Sequence, residues 1–370
     1  MQQVRILLVQ LASMGDCLLV TTIAKQIKDI DYPGCHLTWL IGSKYTPAIK
    51  NNPYVDEVIE VLLSSISDIK KQRNLINQHI INVGGYEKYD KIFVTDYTAT
   101  NFRNWFGTTR SALFRNYPHK LKVNPQPIIY LTIEEKTNVA EFCHNNNINN
   151  LSYNVLFECA PQSGQSLMTV EKAKEIAMRI VSKGKNIKFI LSSNQPFVSS
   201  NPNIIDGSRI SWRENAELAN YCNLMVGCSS GISWLCKSQW TKALPFIQIV
   251  NPNYSGGVYS ASMKIDFSYF GISTKNLFEL YNPSDFILQE CIFLSYENNF
   301  NQIKNLYDVT DNSQFGKFKF LKEARIIFPK KVALFIKYVI PYFFLYLYRK
   351  IKPSFFTPKA WWLFFKNLFR

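Results

Sequence analysis

Residues 4–42, VRILLVQLASMGDCLLVTTIAKQIKDIDYPGCHLTWLIG, decide the fold. Val4 to Gln10 is a short apolar run with several β-branched residues, which predicts one buried strand. The apolar spacing then lengthens to that of a helix from Cys17 to Ile27, and Pro33-Gly34 ends it. Leu37 to Ile41 predicts a second strand, so the stretch as a whole predicts a β-α-β unit of a parallel sheet.

A polar turn that contains glycine separates the first strand from the helix. This turn, Ala12-Ser13-Met14-Gly15-Asp16, is called the first elbow below. In open α/β sheets, ligands bind where strands end and helices begin. Asp16 is the only ionisable side chain of the elbow, so it is the first candidate for chemistry. The alternative is that Asp16 caps the helix, and a carboxylate held by helix amides would have a lowered pKa.

The basic charge of the chain is concentrated near its C-terminus. The 370 residues carry a net charge of +15. From Lys317 onward there are thirteen basic residues and one acidic residue, Glu323, so the preceding 316 residues are close to neutral. The length is typical of two domains, and a nearly neutral body argues against nucleic acid as a partner.

The cysteines and histidines do not have the spacing of metal ligands. None of the eight cysteines belongs to a C-x-x-C pair, and most lie in apolar runs, as free cysteines of a reduced compartment do. The four histidines are scattered, so the sequence predicts no metal site and no metal cofactor. A signal peptide is the alternative for the N-terminus, but Ile6 to Ala12 is a short apolar core for one, which favours a cytosolic body.

A second β-α series follows a polar run of asparagines, 145–150, which predicts a domain boundary. The strands predicted in this series are Tyr153–Glu158, Ile187–Ser192, Asn203–Asp206, Leu224–Val226 and Phe246–Val250, the last of which closes it. The turn Gly227-Cys228-Ser229-Ser230-Gly231, called the second elbow below, precedes a predicted helix from Ile232 to Lys237. The sequence thus predicts two α/β domains, 1–150 and 151–312, with a cleft between them and one ligand in each half.

Residues 313–370 are predicted to form a basic, aromatic helical tail. Val332 to Tyr348 and Phe355 to Phe369 are apolar and aromatic, but Pro341 and several basic residues interrupt them. Neither run reaches the roughly twenty clean apolar residues needed to span a bilayer. Interleaved aromatic and basic residues suit the headgroup region, so we expect peripheral attachment to an anionic membrane surface. A buried helical cap and a tilted span are the alternatives.

The quoted N-terminal stretch resembles a known family. With its continuation SKYTPAIKNNPYVDEVI, it is similar to the N-terminal domain of the ADP-heptose:lipopolysaccharide heptosyltransferases and their relatives, glycosyltransferase family nine. That family has a strand, an S-x-G-D elbow, a helix and an N-P-x-I-D-E-V segment. The later segment ENAELANYCNLMVGCSSGISWL resembles the family's E-L-A-x-L-I-x-x-A-D-L-x-I-G-x-D-S-G-x-x-H-L.

The resemblance implies a GT-B fold, in which two Rossmann-like domains face each other, the first for the acceptor and the second for a nucleotide-sugar. It also implies a metal-independent, inverting glycosyltransferase with no cofactor. Such an enzyme moves a sugar onto a lipid-linked bacterial glycan, such as a lipopolysaccharide core, as a peripheral protein at the cytoplasmic face of the inner membrane.

The resemblance also implies roles for individual residues. Asp16, with Ser13, Met14 and Gly15 around it in the elbow, corresponds to the family's presumed general base, which removes a proton from the attacking hydroxyl. Glu217 is either a ribose ligand or a surface helix residue. The residues expected to hold the donor diphosphate are Gly164, Gln165, Ser166, Ser229, Ser230 and Gly231.

The second half departs from the family pattern at three positions. Ser229 stands where the family has an aspartate, Trp234 stands where it has a histidine, and Ser166 falls where a phosphate-binding lysine is expected. A diphosphate leaving group needs positive charge or amide dipoles to stabilise it. The alternative to an enzyme is therefore a catalytically degenerate family member that acts as a membrane-bound scaffold in a glycan-assembly complex.

Overall fold

Parallel strands form two sheets, one in each half of the chain. The computed structural model describes residues 3–63, 69–96, 109–159, 164–251 and 262–307. The strands of the first sheet are β1 (Arg5–Val9), β2 (His36–Gly42), β3 (Glu57–Val61) and β4 (Lys91–Val94). Those of the second are β5 (Tyr153–Glu158), β6 (Ile187–Ser192), β7 (Ile204–Asp206), β8 (Leu224–Gly227), β9 (Phe246–Val250) and β10 (Leu277–Tyr281). Every strand pairing between neighbours is parallel.

Helices connect these strands. They are α1 (Met14–Gln26), α2 (Ile69–Asn82), α3 (Gly85–Lys88), α4 (Thr109–Arg115), α5 (Ile133–Asn145), α6 (Val170–Val181), α7 (Asn215–Leu218), α8 (Gly231–Leu235), α9 (Met263–Phe270), α10 (Asp285–Tyr296) and α11 (Phe300–Leu306). A π-helical turn, Ile27–Asp31, extends α1, and 3₁₀ turns cover Ser43–Ala48 and Ala219–Tyr221. The predicted β-α-β unit at the N-terminus is therefore confirmed.

Both sheets change direction at their first strand. The first sheet has the order β3-β2-β1-β4, and the second has β10-β9-β8-β5-β6-β7. Counted from its own first strand, the second sheet has the order 3-2-1-4-5-6 of a Rossmann fold, and the first sheet is a four-stranded version of it. The first elbow follows β1 and the second elbow follows β8, beside β5. Both elbows thus lie at the switch points where α/β sheets bind ligands.

The second sheet is longer than the sequence indicated. The prediction that Phe246–Val250 closes the series was wrong, because β10 pairs in parallel with β9 beyond it. Three helices, α9 to α11, accompany this extra strand. Glu279 interrupts the apolar run of residues 277–281, LFELY. A prediction from the hydrophobic pattern assigns this acidic residue to the surface, whereas the structure buries it fully.

Helix α1 is buried on every side. Its residues from Cys17 to Ala24 are all buried, including two threonines, and its apolar residues are not confined to one face. One continuous hydrophobic cluster joins α1 to its own sheet and to residues of the second half, such as Leu218 and Trp234. The two halves therefore pack against each other through α1, so the predicted cleft is closed at its base.

The polar side chains of α1 fix the segment that links the two halves. The Thr21 hydroxyl accepts a hydrogen bond from the Ile128 N–H (2.9 Å), and the Thr22 hydroxyl donates to the Gln126 carbonyl (2.9 Å). The Gln26 side chain accepts from the N–H groups at positions 122 and 123. Buried polar groups are costly unless they are paired, and here the linker backbone pairs them.

Arg213 provides a second connection between the halves. It lies on the loop before α7, is 5% exposed, and its guanidinium donates to Glu135 of α5 (2.5 Å). It also donates to the carbonyls of Tyr130 and of Pro47 in the 3₁₀ turn of the first half. This arginine therefore anchors the second half to both the linker and the first half.

The asparagine run at the predicted domain boundary is an ordered turn. Helix α5 ends at Asn145, and Asn147 has a positive φ of 52°, a conformation that asparagine tolerates well. Ile148 is buried, and the Asn154 side-chain amide donates to the Asn149 carbonyl (2.9 Å). The run therefore connects the two sheets through a defined conformation.

The chain divides into two units, Met1–Asn312 and Ser313–Arg370. The predicted tail, 313–370, lies outside the described residues. Within the residues that the structure describes, no helix is both long enough and apolar enough to cross a bilayer. All eight cysteines are free and buried.

Gly227 provides a test of how tightly the second elbow is packed. A Cβ atom at this position would lie 2.5 Å from the Phe246 ring and 2.6 Å from the Ser233 hydroxyl. We expect Gly227→Ala to lower the free energy of unfolding by about 1–3 kcal/mol, as overpacking of a filled core does. Gly15→Ala is the matched control, because its Cβ would come no closer than 3.4 Å to another atom. Equal losses of stability in urea denaturation would contradict this packing.

Candidate active site

The first elbow starts α1 through a reciprocal cap. Ser13 is the N-cap residue, and its carbonyl accepts the first helical hydrogen bond from the Cys17 N–H (2.8 Å). The Asp16 carboxylate, three residues into the turn, accepts from the Ser13 N–H (3.3 Å) and from the Ser13 hydroxyl (3.1 Å). Asp16 therefore has the structural capping role that the sequence left open. Met14 and Gly15 are half-buried within the same turn.

The capping role does not lower the pKa of Asp16. Burial raises the pKa of this carboxyl and outweighs the Ser13 hydrogen bonds and the positive charge of Arg110. The negative charge of Asp96, at the end of β4, raises it further. Asp16 can therefore cap the helix without the lowered pKa that would make it a poorer base. The two long hydrogen bonds from Ser13 stabilise the carboxylate less than the loss of hydration destabilises it. A half-buried carboxyl with a raised pKa is suited to accept a proton.

The second elbow is a strained turn with its own cap. Ser229 has a positive φ of 60° and is fully buried, a conformation that is uncommon for residues other than glycine and is often found at functional sites. The Ser230 hydroxyl accepts from the Ile232 N–H (3.2 Å) and so caps α8, which begins at Gly231. The turn therefore presents the start of α8 to the first half.

A carboxylate that the sequence did not single out lies beneath the second elbow. Glu158, the last residue of β5, accepts from the Cys228 N–H (2.8 Å), from the Ser233 hydroxyl (2.7 Å) and from the Ser230 hydroxyl. It is 1% exposed, and burial raises its pKa. The strand adjacent to β8 thus places a buried carboxyl group against the second elbow. The position of Glu158 at the carboxyl end of a predicted strand was the available signal.

Arg110 reaches from the first half to the second elbow. Its Nη2 atom donates to the Ser229 carbonyl (2.8 Å) and to the Ser229 hydroxyl (2.9 Å). Its Nη1 atom lies 3.4 Å from Asp266 on α9, and its guanidinium is 5.0 Å from the Trp234 ring centroid. Trp234, which replaces the family's histidine, is therefore part of the cradle for this arginine. Nothing in the sequence indicated this role for Arg110.

The two elbows touch through their glycines. A Cβ atom on Gly15 would lie 3.4 Å from the Gly231 Cα, and one on Gly231 would lie 3.5 Å from the Gly15 nitrogen. A Cβ atom on Gly231 would also come within 3.2 Å of the Trp212 indole nitrogen. The backbones of the two turns are therefore close to van der Waals contact at these glycines. The structure thus brings Asp16 close to the second elbow across the contact between the halves.

The loop from Gly164 to Ser166 lies beside the second elbow. The Gln165 carbonyl accepts from the Asn251 N–H (2.8 Å), just after β9, and the Ser166 hydroxyl interacts with the Cys228 thiol. Gly164 is exposed and has a positive φ of 71°, whereas Gln165 and Ser166 are buried. The residues just before this loop, 160–163, lie outside the described part of the chain.

The candidate Glu217 and the two lysines at the start of α6 form contacts elsewhere. Glu217 accepts from the Trp240 indole N–H (2.7 Å), which ties α7 to the loop after α8. Lys172 pairs with Asp285 (3.3 Å), and the Lys174 amine donates to the Val198 carbonyl (2.7 Å). These two lysines therefore form contacts away from the elbows. Among the described residues, no three His, Cys, Asp or Glu side chains are grouped closely enough to hold a metal ion.

Comparison with solved structures identifies the architecture. A glycosyl transferase family 9 protein from Veillonella parvula DSM 2008 is similar at 16% identity and a TM-score of 0.53, over 82% of this chain and 99% of that one. The chain has a GT-B fold. This is the fold that the sequence resemblance implied, and it agrees with the two parallel sheets described above.

Two further solved structures are similar over comparable lengths. They are ADP-heptose lps heptosyltransferase II of E. coli (13% identity, TM-score 0.49, 81% of this chain and 99% of that one) and E. coli heptosyltransferase WaaC with ADP (14%, 0.43, 79% and 99%). No family model and no curated protein matches the chain. The function therefore has to be argued from the site.

The raised pKa of Asp16 predicts a stability cost at neutral pH. A folded-state pKa above the ordinary value means that this group stabilises the fold below that ordinary value, and the contribution is lost as pH rises through the folded-state pKa. Asp16→Asn cannot ionise, and its side-chain oxygen still accepts from Ser13. We expect this variant to have a higher Tm than the wild type at neutral pH and the same Tm in acid.

Asp56→Asn is the control with the opposite sign. Burial of Asp56 is outweighed by hydrogen bonds from the Leu37 N–H and Lys28, which hold its pKa below the ordinary value. The contribution of Asp56 to the stability of the fold is present above its ordinary pKa and is lost as pH falls through the folded-state pKa. We expect this variant to be less stable at neutral pH. A neutral-pH loss of Tm in Asp16→Asn as well would contradict the assignment.

Proposed function

We propose that the protein is an inverting glycosyltransferase that moves a sugar from a nucleotide-sugar to a lipid-linked bacterial surface glycan. The observation that carries the proposal is the contact between the two elbows in a GT-B fold. It brings a carboxyl with a raised pKa close to a strained strand-to-helix turn, and each elbow lies at the switch point of its own sheet.

Asp16 acts as the general base in this proposal. It takes the proton of the acceptor hydroxyl as that oxygen attacks the anomeric carbon and the nucleoside diphosphate leaves from the opposite face. A base works best when its pKa is near the operating pH. Burial moves the pKa of Asp16 in that direction. The hydrogen bonds from Ser13 hold the carboxyl at the start of α1 and fix its position.

The donor diphosphate is held by the second elbow and the adjacent loop. The Ser229 hydroxyl is bound to Arg110 and the Ser230 hydroxyl to Glu158. In this proposal the two serines therefore contribute to diphosphate binding by shaping the turn. The first N–H groups of a helix have no carbonyl partner within it, which suits an anion at Gly231. The loop from Gly164 to Ser166, bound to Cys228 through Ser166, completes this side of the site.

The reaction itself provides the most direct test of Asp16. We expect Asp16→Asn to reduce sugar transfer by about 10²–10⁴-fold, the usual contribution of a general base, while donor binding stays unchanged. Asp29→Asn is the matched control, because Asp29 lies just after the same helix and pairs with Lys25 at the surface. Near-normal turnover by Asp16→Asn in a radiolabelled-sugar assay would contradict the proposal.

Donor binding separates the enzyme from a scaffold. A catalytically degenerate scaffold is favoured by the absence of the family's lysine, aspartate and histidine at positions 166, 229 and 234. We expect one nucleotide-sugar in a panel to raise the Tm, because a ligand that binds only the folded state stabilises it. If no nucleotide or nucleotide-sugar changes the Tm, the scaffold replaces the enzyme as the function.

The basic tail is proposed to hold the protein at the cytoplasmic face of the inner membrane. We expect removal of residues 328–370 to abolish sedimentation with vesicles that contain anionic lipid, because the deleted segment supplies both basic and aromatic residues. Vesicles of neutral lipid are the control and should retain less of the full chain. Equal recovery of the full and truncated chains on anionic vesicles would contradict a membrane role for the tail.

A further inference from the structure

Arg110 is a buried cation at the contact between the two halves. It is 4% exposed, and it belongs to α4 of the first half. Its two short hydrogen bonds go to the backbone and side chain of Ser229, the strained residue of the second elbow. Two further neighbours, Asp266 and Trp234, also belong to the second half. One side chain thus joins α4 to three elements beyond the contact.

Among the residues that the structure describes, the charged and titratable groups that face Asp16 come from four elements. Arg110 lies on α4, Asp96 follows β4, Tyr45 lies in the 3₁₀ turn Ser43–Ala48, and Cys17 is the next residue of α1. Burial raises the pKa of Cys17 and of Tyr45, so both are neutral at ordinary pH. Helix α8, which packs on α1, has no ionisable side chain. The positive charge in this group is therefore that of Arg110.

We propose that Arg110 is a positioning residue that holds the second elbow against the first and so places its positive charge near Asp16, the proposed base. The inference rests on the proposed function of Asp16 and extends it to Arg110, a residue of the first half that binds the second elbow. Arg110 acts through Asp16 and Ser229, and Asp266 moderates its charge. A positive charge near a buried carboxyl favours its ionised form, so a change of charge in this group should shift the titration of Asp16 in a known direction.

Charge variants of this group should move the titration of Asp16 in opposite directions. Arg110→Gln removes the positive charge, so the titration midpoint of Asp16 should rise. Asp266→Asn keeps the side-chain volume but removes the negative partner of Arg110, so the midpoint should fall. Arg110→Lys keeps the charge but loses the paired hydrogen bonds to Ser229, so its midpoint should stay nearer to that of the wild type.

The experiment follows the carboxyl carbon of Asp16 by NMR in the full chain labelled with ¹³Cγ-aspartate. Asp16→Asn identifies the resonance, and Tm measurements show that each variant is folded. Arg213→Gln is the matched control, because Arg213 is also a buried arginine that joins the two halves but has its carboxylate partner, Glu135, on α5. A general loosening of the contact would shift the midpoint in Arg213→Gln as well, whereas we expect no shift there.

The outcomes separate this inference from the proposed function. Unchanged midpoints in Arg110→Gln and Asp266→Asn, or shifts of the same sign in both, would overturn the inference even if the wild type transfers sugar. If Arg110→Gln does not fold, the inference is tested by Asp266→Asn alone, in which the titration midpoint of Asp16 should fall. In the transfer assay, Arg110→Gln should lose activity several-fold and most strongly at acid pH. The expected midpoint shifts with no transfer by the wild type would overturn the proposed function instead.

Discussion

The structure depends on the close approach of two helix N-termini, α1 and α8, through Gly15 and Gly231. Because each of these residues lacks a side chain, the two turns meet backbone to backbone. Beyond that contact, α1 is buried from Cys17 to Ala24, and one hydrophobic cluster combines residues from both halves. This packing explains why α1 carries buried threonines and a buried glutamine: their partners are backbone groups of the linker. The closed base of the cleft, the position of the linker and the proximity of the two elbows all follow from it.

The same contact creates an electrostatic problem that carboxylates resolve. The positive ends of two helix dipoles face each other across the contact, where little water remains to screen them. Asp16 lies at the start of α1, and Glu158 accepts hydrogen bonds at the start of α8. Burial raises the pKa of both carboxyls, so each is held in a site that opposes its ionisation. Arg110 lies at the second elbow and counteracts this effect at Asp16, which links the stability of the contact to the chemistry proposed there.

Much of the fold was predictable because its signals are local. The strands Tyr153–Glu158, Ile187–Ser192 and Phe246–Val250 have their predicted bounds. Each is a short apolar run that ends at a polar turn. The strand from 277 to 281 was not predictable in this way, because Glu279 interrupts its apolar pattern. Glu279 is buried against the start of α9, where it accepts hydrogen bonds from two backbone N–H groups. Pairing between distant segments, not local sequence, makes that strand.

By itself, the sequence determined the two β-α series, the position of both elbows and the identity of Asp16 as the ionisable residue of the first. These follow from hydrophobic period and turn chemistry, which act over a few residues. The tertiary structure alone decided that the elbows touch, that Glu158 accepts hydrogen bonds from the second elbow, and that Arg110 lies against Ser229. Arg110 and Ser229 are 119 positions apart. Contacts of this kind depend on how the two sheets pack around α1, and no local pattern records them.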